Sequence, residues 1–245
     1  MSLTALEVKR LVKRFGGVHA IDRLSLALER KKITGIVGPN GSGKTTLLNM
    51  LSGVLPIDEG AVFVGDTKLF SLKSYEGVRY GITRTFQEVR LFTHMTVLDN
   101  LLVVLTERNI FSALFERHTA FHIEKAKILL EQFGLTQKKN SRAATLSYGQ
   151  RKLLEIARAL AMNAEIYLFD EPFAGLFPEM KRLVVEIVKD LRTAGKAVAL
   201  IEHDIGVIRE LADHIFVLDN GKLLAEGEPN EVLGRREVIE AYLGE

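Results

Sequence analysis

The chain has 245 residues, a length that is enough for one large domain or two small ones. Of these residues 47% are hydrophobic and 26% are charged, a composition that is ordinary for a globular protein. Its formal net charge of +2 is too close to balance to indicate nucleic acid or membrane lipid as a partner, and the absence of cysteine excludes disulfides and thiolate metal sites. The stretch MSLTALEVKR has no apolar core typical of a signal peptide, and no apolar run approaches the roughly 20 residues of a membrane span. We therefore expect any membrane role to act through partners.

Short strands are predicted along the first part of the chain. LEVKRLVKRF and LSLALE alternate apolar and polar residues, as half-buried strands do. KITGIVG is a β-branched apolar run that ends in glycine, which is typical of a buried strand, and AVFVGD resembles a further strand. A glycine-rich loop that opens into a helix separates these last two strands.

Helices are predicted over much of residues 93–163, and strands and helices alternate again beyond them. EIYLFDE and KAVALIEHD indicate strands, PEMKRLVVEIVKDLRTAG and IGVIRELADH indicate helices, and IFVLDNGKLLAEG indicates a hairpin with Asn-Gly at its turn. The pattern predicts one α/β domain over residues 1–245, with a core of about 1–92 and 164–245 and an inserted helical subdomain of about 93–163.

A phosphate-binding loop is predicted at Gly38–Thr45, where GPNGSGKT matches the pattern G-x-x-x-x-G-K-[ST]. Glycines let successive backbone N–H groups point at phosphate oxygens, and the following helix adds its positive dipole end. Lys44 would reach the β- and γ-phosphates, and the Thr45 hydroxyl would ligate Mg²⁺. The predicted nucleotide-binding residues here are Gly38, Pro39, Asn40, Gly41, Ser42, Gly43, Lys44, Thr45 and Thr46.

Two carboxylates at the end of the strand IYLFDE complete the predicted chemistry. Ligands bind at the carboxyl ends of strands in open parallel sheets. Asp170 would bond Mg²⁺ directly or through water, and Glu171 would polarise the water that attacks the γ-phosphate. An Asp-Glu pair after a strand is often only a loop start, but its combination with an intact phosphate loop favours a functional site.

A polar stretch, Ser147 to Gln150, precedes the predicted apolar helix RKLLEIARALA, which begins at Arg151. Ser147 and Gln150 have the spacing of a capping box, in which the serine hydroxyl and the glutamine side chain bond each other's backbone N–H groups. Taken alone, the stretch favours this purely structural interpretation.

Several short motifs in order give the chain a resemblance to the ATP-binding cassette (ABC) ATPases over nearly its whole length. LSYGQ resembles the signature motif of that family, TFQ places Gln87 at its Q-loop, and IEHD places His203 at its switch histidine. KRFGGVHAI places Phe15 at the aromatic position that stacks on adenine. Taken one at a time, Gln87 would be interpreted as a surface residue, His203 as a residue at the start of a helix and Phe15 as a core residue. The motifs in this order, together with an intact phosphate loop, are specific for the family.

The resemblance implies a P-loop core with an N-terminal antiparallel β-subdomain and an inserted helical subdomain. It implies ATP and Mg²⁺ as cofactors, with Lys44, Glu171 and His203 as catalytic residues. It implies metal contacts from Thr45, Gln87 and Asp170. It also implies that Ser147, Gly149 and Gln150 cap the γ-phosphate in the site of a second ATPase subunit, so that two chains work as a head-to-tail pair.

Two positions depart from the common family pattern. Tyr148 stands where the signature usually has glycine. The loop after Asp-Glu-Pro often ends in Ser-Ala-Leu-Asp in the family, whereas this chain has AGLFP, with Phe177 at the Asp position. Because that Asp helps the subunits to communicate, the resemblance implies altered communication or an altered resting ATPase rate, with hydrolysis retained.

Longer stretches are similar to the importer ATPases for branched-chain amino acids, namely RTFQEVRLFTHMTVLDNLLV, DEPFAGLFPE and the ending VIEAYLGE. Urea or amide importers and lipopolysaccharide-export ATPases are the related alternatives. The resemblance implies a peripheral subunit on the cytoplasmic face of the inner membrane. Its partners would be a second ATPase, two transmembrane permease subunits and, indirectly, an extracytoplasmic solute-binding protein, with no nucleic acid.

Apolar residues near Gln87 are candidates for the groove that would receive a membrane subunit: Leu91, Phe92, Phe111 to Phe115, and Phe121. Packing in the core of the helical subdomain is the equally weighted alternative. Three other protein classes stay open: a non-transport ABC ATPase of translation or DNA repair, a small P-loop kinase, and a catalytically silent regulatory subunit.

Overall fold

The computed structural model describes residues 3–105 and 120–243, which divide into two compact units. The first unit contains the chain up to Arg84, Ala164–Glu171 and the residues from Val185 onward. The second contains Thr85–Asn163 and Pro172–Val184. This second unit begins before the predicted helical segment of about 93–163 and includes a stretch beyond it, because these flanking residues pack with the helices.

The first unit contains two sheets, and within the described residues their strand orders are β2-β1-β4-β5 and β10-β9-β3-β8-β7-β6. The strands are β1 (Thr4–Phe15), β2 (Val18–Glu29), β3 (Ile33–Val37), β4 (Glu59–Val64), β5 (Thr67–Leu69), β6 (Ile82–Arg84), β7 (Ile166–Asp170), β8 (Ala197–Ile201), β9 (His214–Asp219) and β10 (Lys222–Gly227).

The helices of the described chain are α1 (Lys44–Leu51), α2 (Val97–Leu105), α3 (Ala120–Gln132), α4 (Tyr148–Ala161), α5 (Pro178–Thr193), α6 (Ile205–Leu211), α7 (Pro229–Val232) and α8 (Arg236–Leu243). Short 3₁₀ turns cover Gly77–Tyr80, Thr136–Lys138 and Ala143–Thr145.

The four-stranded sheet is antiparallel and has one buried face. Leu24, Leu26 and Leu28 of β2 are buried while the residues between them are exposed or half-buried. This is the alternation that the sequence predicts for a sheet with one face on a core. Side chains from this face join the helix α1 and the larger sheet in one hydrophobic core.

Strands β3, β7 and β8 of the six-stranded sheet run parallel, and every residue in them is buried. Buried parallel strands read as continuous apolar runs, as these do in the sequence. Because their carboxyl ends meet at one edge, the residues that follow them lie close together. The predicted α/β class with an antiparallel subdomain and helical elements is confirmed.

The predicted hairpin joins β9 to β10 through Asn220 and Gly221, whose φ angles are 45° and 76°. Two residues with positive φ form the turn whose twist suits a two-residue hairpin, which explains the Asn-Gly pair.

The second unit is built around α2, α3 and α4, with α2 packed against the other two. Along α4, Leu153, Leu154, Ile156 and Ala157 are buried, as the helical periodicity predicts. The capping box is present: Gln150 N–H donates to Ser147 Oγ at 3.3 Å, and Ser147 N–H donates to Gln150 Oε1 at 3.1 Å.

Candidate functional site

The predicted phosphate loop connects β3 to α1 and depends on three glycines with positive φ. Gly38, Gly41 and Gly43 have φ angles of 144°, 79° and 104°. A Cβ atom on Gly38 would lie 2.1 Å from the Leu218 carbonyl oxygen, and one on Gly43 would lie 2.6 Å from the Ala20 carbonyl oxygen. The backbone can therefore curl here only because these positions carry no side chain.

Lys44 begins α1 with its side chain buried inside the loop. Its ammonium group donates to the carbonyl oxygens of Gly38 and Pro39, both at 2.8 Å. Burial lowers the pKa of Lys44, and the carboxylates of Glu171 and Asp170 act in the opposite direction. The ammonium therefore lies where the loop curls and is within electrostatic reach of the predicted catalytic Glu171 and the predicted metal ligand Asp170.

The other loop residues differ in their exposure. Ser42 is buried and Pro39 and Thr46 are half-buried, whereas Asn40, Gly41 and Thr45 are exposed. The Thr45 side chain is therefore accessible at the first turn of α1, which is where the phosphate-loop pattern needs a hydroxyl.

Asp170 is the last residue of β7, and its side chain is 0% exposed. Arg84, the last residue of the neighbouring strand β6, donates through Nη2 to Asp170 Oδ2 at 2.8 Å. The other guanidinium nitrogen, Nη1, donates to Asn49 Oδ1 at 2.7 Å and to Ser52 Oγ at 3.0 Å, both at the end of α1. Arg84 thus fixes the carboxylate against the helix that carries the phosphate loop.

Glu171 follows Asp170 with a left-handed backbone, φ 49°, and its N–H donates to the carbonyl oxygen of Ile201 at 2.9 Å. Its Oε1 atom lies 3.0 Å from Nε2 of His203. The two residues meet because β7 and β8 are neighbours, with Asp170 opposite Ile201. A strained backbone of this kind persists where the surrounding structure requires it, and such positions cluster at active sites.

His203 lies two residues before helix α6, and the start of this helix fixes the position of the segment that contains His203. Asp204 caps this helix, and its Oδ1 accepts from the N–H groups of Gly206 at 3.0 Å and Val207 at 3.3 Å. The cap fixes the backbone directly after the histidine.

In the second unit, Gln87 is exposed and belongs to a segment that α4 holds by its backbone. Lys152 Nζ donates to the Gln87 carbonyl oxygen at 3.5 Å, and Glu155 Oε1 accepts from Phe86 N–H at 3.4 Å and Arg90 N–H at 3.1 Å. Burial raises the pKa of Glu155, although these N–H groups and the nearby cations oppose the rise. Two buried charged residues on α4 therefore shape the loop while the Gln87 side chain stays accessible.

The signature segment of the second unit presents Ser147 at the N-terminus of α4, with Gly149 buried and Gln150 half-buried in its first turn. A Cβ atom on Gly149 would lie 2.8 Å from Met180 Sδ, so no side chain fits there without a shift. The first turn of α4 thus has two features: the capping box satisfies its backbone hydrogen bonds, and Gly149 allows α5 to approach it closely. A helix N-terminus of this kind is suited to an anion.

The protein-family model described as ABC transporter matches residues 21–174. The chain belongs to this family. LivG of Salmonella typhimurium, a high-affinity branched-chain amino acid transport ATP-binding protein, is 39% identical with all of both chains covered. BraF of Pseudomonas aeruginosa, of the same description, is 38% identical, again with both chains covered in full. These similarities confirm the predicted family and the predicted resemblance to this branch.

Solved structures agree with the assignment. The ADP conformation of an ATP-binding cassette of an ABC transporter is 35% identical, covers 100% of both chains and superposes with a TM-score of 0.85. A dimeric post-hydrolysis state of an ATP-binding cassette bound to ADP and Pi is 27% identical, covers 91% of this chain and 98% of its own, and has a TM-score of 0.81. The present chain is thus an ABC ATPase with a nucleotide-binding fold.

The aromatic candidate for adenine stacking in this ABC ATPase, Phe15, ends β1 and faces solvent. It pairs with Val18 across a turn made by Gly16 and Gly17, and Lys13 Nζ lies 5.5 Å from the centre of its ring. Its exposure contradicts the alternative that Phe15 is a core residue.

One of the two departures from the family pattern in this ABC ATPase, Tyr148, contacts the loop that carries the other. A Cβ atom on Gly175 would lie 2.7 Å from Cε1 of Tyr148, so the tyrosine ring covers the residue two positions before Phe177. Phe177 itself is 69% exposed. Nothing in the described structure explains why an aromatic side chain stands at this exposed position.

The groove candidates of this ABC ATPase divide into three groups. Phe92 is 45% exposed and Phe121 is exposed, so the core interpretation is wrong for both, whereas Leu91 is half-buried. Phe111 to Phe115 lie outside the described residues. Arg158 stacks over the Phe92 ring at 5.1 Å. In the described parts of the chain, none of the helices has the length and apolar character needed to cross a membrane.

Two residues at the site were missed by sequence reasoning. Arg84 could be placed beside Asp170 only once β6 was known to pair with β7. Tyr242, near the end of α8, accepts a hydrogen bond from Gly38 N–H at 2.8 Å, and burial raises its pKa. No local pattern signals this contact, because 204 positions separate the two residues.

Proposed function

We propose that this chain is the ATP-hydrolysing subunit of a membrane importer of branched-chain amino acids. The observation that carries the hydrolytic part is the Glu171–His203 pair at 3.0 Å, at the edge of the sheet that holds the phosphate loop. The solute class is supported by full-length identity of 38–39% to LivG and BraF, which are described as branched-chain amino acid transport proteins.

Binding would begin with adenine stacking on Phe15 and with phosphates cradled by the loop from Gly38 to Thr46. Phosphate oxygens would replace the carbonyl oxygens of Gly38 and Pro39 as partners of the Lys44 ammonium. Mg²⁺ prefers oxygen ligands, and the donor set of Thr45 hydroxyl, Gln87 amide oxygen and Asp170 carboxylate is all oxygen. When bound, the ion neutralises charge on the β- and γ-phosphates.

Hydrolysis would depend on Glu171 and His203 acting together. The carboxylate of Glu171 would orient and polarise the attacking water, and His203, within hydrogen-bond distance, would hold that carboxylate and contact the γ-phosphate. The 3.0 Å distance between Glu171 Oε1 and His203 Nε2 and the strained backbone of Glu171, φ 49°, support this role.

Pairing would complete each site. Ser147, Gly149 and Gln150 at the N-terminus of α4 would cap the γ-phosphate bound to a second cassette, since backbone N–H groups there favour an anion. The dimeric cassette bound to ADP and Pi supports this arrangement. The pair would sit on two permease subunits at the cytoplasmic face of the inner membrane and would receive solute from an extracytoplasmic binding protein.

Glu171→Gln is the decisive change, with Glu179→Gln as the matched control, because Glu179 is exposed at the start of α5. We expect Glu171→Gln to lower ATPase activity about 100-fold or more, since a positioned base contributes about 10²–10⁴-fold. We also expect it to accumulate an ATP-bound pair, measured by size exclusion with light scattering. Absence of a pair, both alone and with a second cassette, would contradict the mechanism.

Uptake measurements with the same two variants test the solute. In cells that lack the chromosomal copy, the wild-type chain and Glu179→Gln should restore uptake of labelled leucine, and Glu171→Gln should not. Normal leucine uptake without the chain, together with lost urea uptake or lost lipopolysaccharide export, would assign it to one of the alternative branches.

A further inference from the structure

The outer face of the four-stranded sheet carries an open pocket of about 410 Å³. Small-molecule sites commonly have volumes of about 300–1,000 Å³, so this pocket is of suitable size. Its lining includes four cations and two aromatic rings: Lys9, Arg10, Arg23, Lys68, Phe63 and Phe70. None of its lining residues belongs to the phosphate loop, and Phe15 is not among them.

The alternation of the strands explains why charged and aromatic groups collect on this face. Val8, Val62 and Leu69 point into the core and are buried, so their neighbours along each strand point outward. Phe63 lies opposite Lys68 in the ladder, and Lys9 lies opposite Ala61. Adjacent strands therefore bring these outward side chains together in one place.

Two β-bulges place the two arginines in the lining of the pocket. Arg10 and Arg23 have left-handed backbones, with φ of 49° and 51°, at shifts in the pairing of β1 with β2. Arg10 N–H donates to Ser25 Oγ at 2.9 Å, so a hydroxyl takes the place of a ladder acceptor. Bulges re-aim side chains, and left-handed backbones in residues other than glycine cost energy and cluster at functional sites.

Gly60 allows strand β4 to pack closely against β1 at the Arg10 bulge. Its φ is 92°, and a Cβ atom there would lie 2.4 Å from the Arg10 carbonyl oxygen and 2.6 Å from that of Lys9. Three unusual backbone positions, at Arg10, Arg23 and Gly60, thus meet at one pocket.

The charges of the pocket are poorly balanced. Its lining contains one carboxylate, Glu59, whose Oε1 already lies 2.6 Å from Arg14 Nη2. Lys9 contacts Glu7 at 3.1 Å, at the exposed edge of the same face. The converging cations therefore retain a net positive charge that an anion would neutralise, and guanidinium groups suit phosphate in particular.

The aromatic rings define the rest of the ligand. Phe70 is 65% exposed, and Lys68 Nζ lies 4.5 Å from its ring centre and 5.7 Å from that of Phe63. A planar ring can stack on an exposed aromatic side chain while the phosphate meets the cations. We propose that this pocket is a second binding site, for a phosphorylated ring compound of nucleotide size, separate from the ATP site.

The test uses the purified full chain carrying Lys44→Ala to weaken the ATP site, titrated separately with ADP, GDP, UDP and inorganic pyrophosphate by calorimetry. Arg10→Asn with Arg23→Asn removes both guanidinium groups, and asparagine tolerates a left-handed backbone, so folding should be retained. The matched control is Lys31→Asn, since Lys31 is an exposed cation with φ 61° outside the pocket.

We expect at least one nucleotide to bind Lys44→Ala protein, with affinity at least tenfold weaker after the double arginine change and unchanged by Lys31→Asn. The proposal is overturned if no nucleotide binds, or if binding is indifferent to the two arginines. It is also overturned if pyrophosphate binds as tightly as the nucleotides.

The test is independent of the proposed function. Because Arg10 and Arg23 lie outside the catalytic residues, the double variant with Lys44 intact should keep its basal ATPase rate. Loss of leucine uptake in Glu171→Gln and loss of nucleotide binding in the arginine variant therefore report on different sites.

Discussion

Arg84 forms a buried ion pair with Asp170. The burial of this pair determines how much stability the protein should lose when Arg84 is replaced. The side chains of the pair are 4% and 0% exposed. Removing one partner of a buried pair leaves an uncompensated charge and costs about 3–5 kcal/mol. We predict that Arg84→Met, which keeps much of the volume, lowers the free energy of unfolding by about that amount, measured by urea denaturation.

The matched control for Arg84→Met is Arg192→Met. Arg192 pairs with Asp213 at 2.9 Å, but both side chains are about one-third exposed. Exposed pairs contribute about 0–1 kcal/mol because water and salt screen them. Equal losses of stability in the two variants would mean that the Arg84–Asp170 pair is not the buried anchor described above.

The hydroxyl group of Tyr242 links helix α8 to the phosphate loop. Tyr242→Phe removes the acceptor of the Gly38 N–H, and a hydrogen bond of this kind contributes about 0.5–1.5 kcal/mol. We predict a severalfold rise in the KM for ATP with a smaller change in kcat, measured by steady-state hydrolysis, because the start of the loop loses a support while the catalytic pair is untouched.

Tyr75→Phe is the matched control for Tyr242→Phe, since Tyr75 is exposed and lies outside the loop. An unchanged KM in Tyr242→Phe, equal to that of Tyr75→Phe, would show that α8 does not support nucleotide binding.

Local sequence patterns predicted several structural elements, but they did not predict the contacts between residues far apart in the chain. The buried strands, the capping box at Ser147 and the Asn-Gly hairpin each follow from a few adjacent residues, so the sequence was sufficient. The contacts of Arg84 with Asp170 and of Tyr242 with Gly38 join residues far apart in the chain. Their partners are decided by strand order and by the path of the C-terminal helix, which no local periodicity contains.

Glu155 and Lys152 show the same limit within one helix. Both lie on the buried side of α4, where the helical pattern predicts apolar residues. They are tolerated because each bonds the backbone around Gln87. The sequence shows that they are charged and on this face, but it does not show which buried backbone groups they serve.

At the scale of the whole molecule, the exposed Phe92 bears on attachment to a membrane complex. The Asn100 side chain bonds both its N–H and its carbonyl oxygen at 3.0 Å, so the backbone around the ring is fixed. We predict that Phe92→Asp leaves the ATPase activity of the isolated subunit intact but loses membrane association, because a charge replaces an exposed apolar contact. Recovery of tagged protein in washed native membranes measures this.

Tyr75→Asp serves as the control for the membrane measurement, since it places the same charge at an exposed aromatic position in the other unit. Unchanged membrane recovery of Phe92→Asp, or an equal loss in the control, would mean that Phe92 is not part of the groove.

The contact between Tyr148 and Gly175 limits which pairs of residues these two positions can carry. In the common family pattern glycine stands at the first position and alanine at the second, so this chain carries a larger residue at the first position and a smaller one at the second. With φ 71° and a Cβ position 2.7 Å from the ring, residue 175 cannot easily gain a side chain while tyrosine is present. The residue that position 175 can carry is therefore coupled to the residue at position 148.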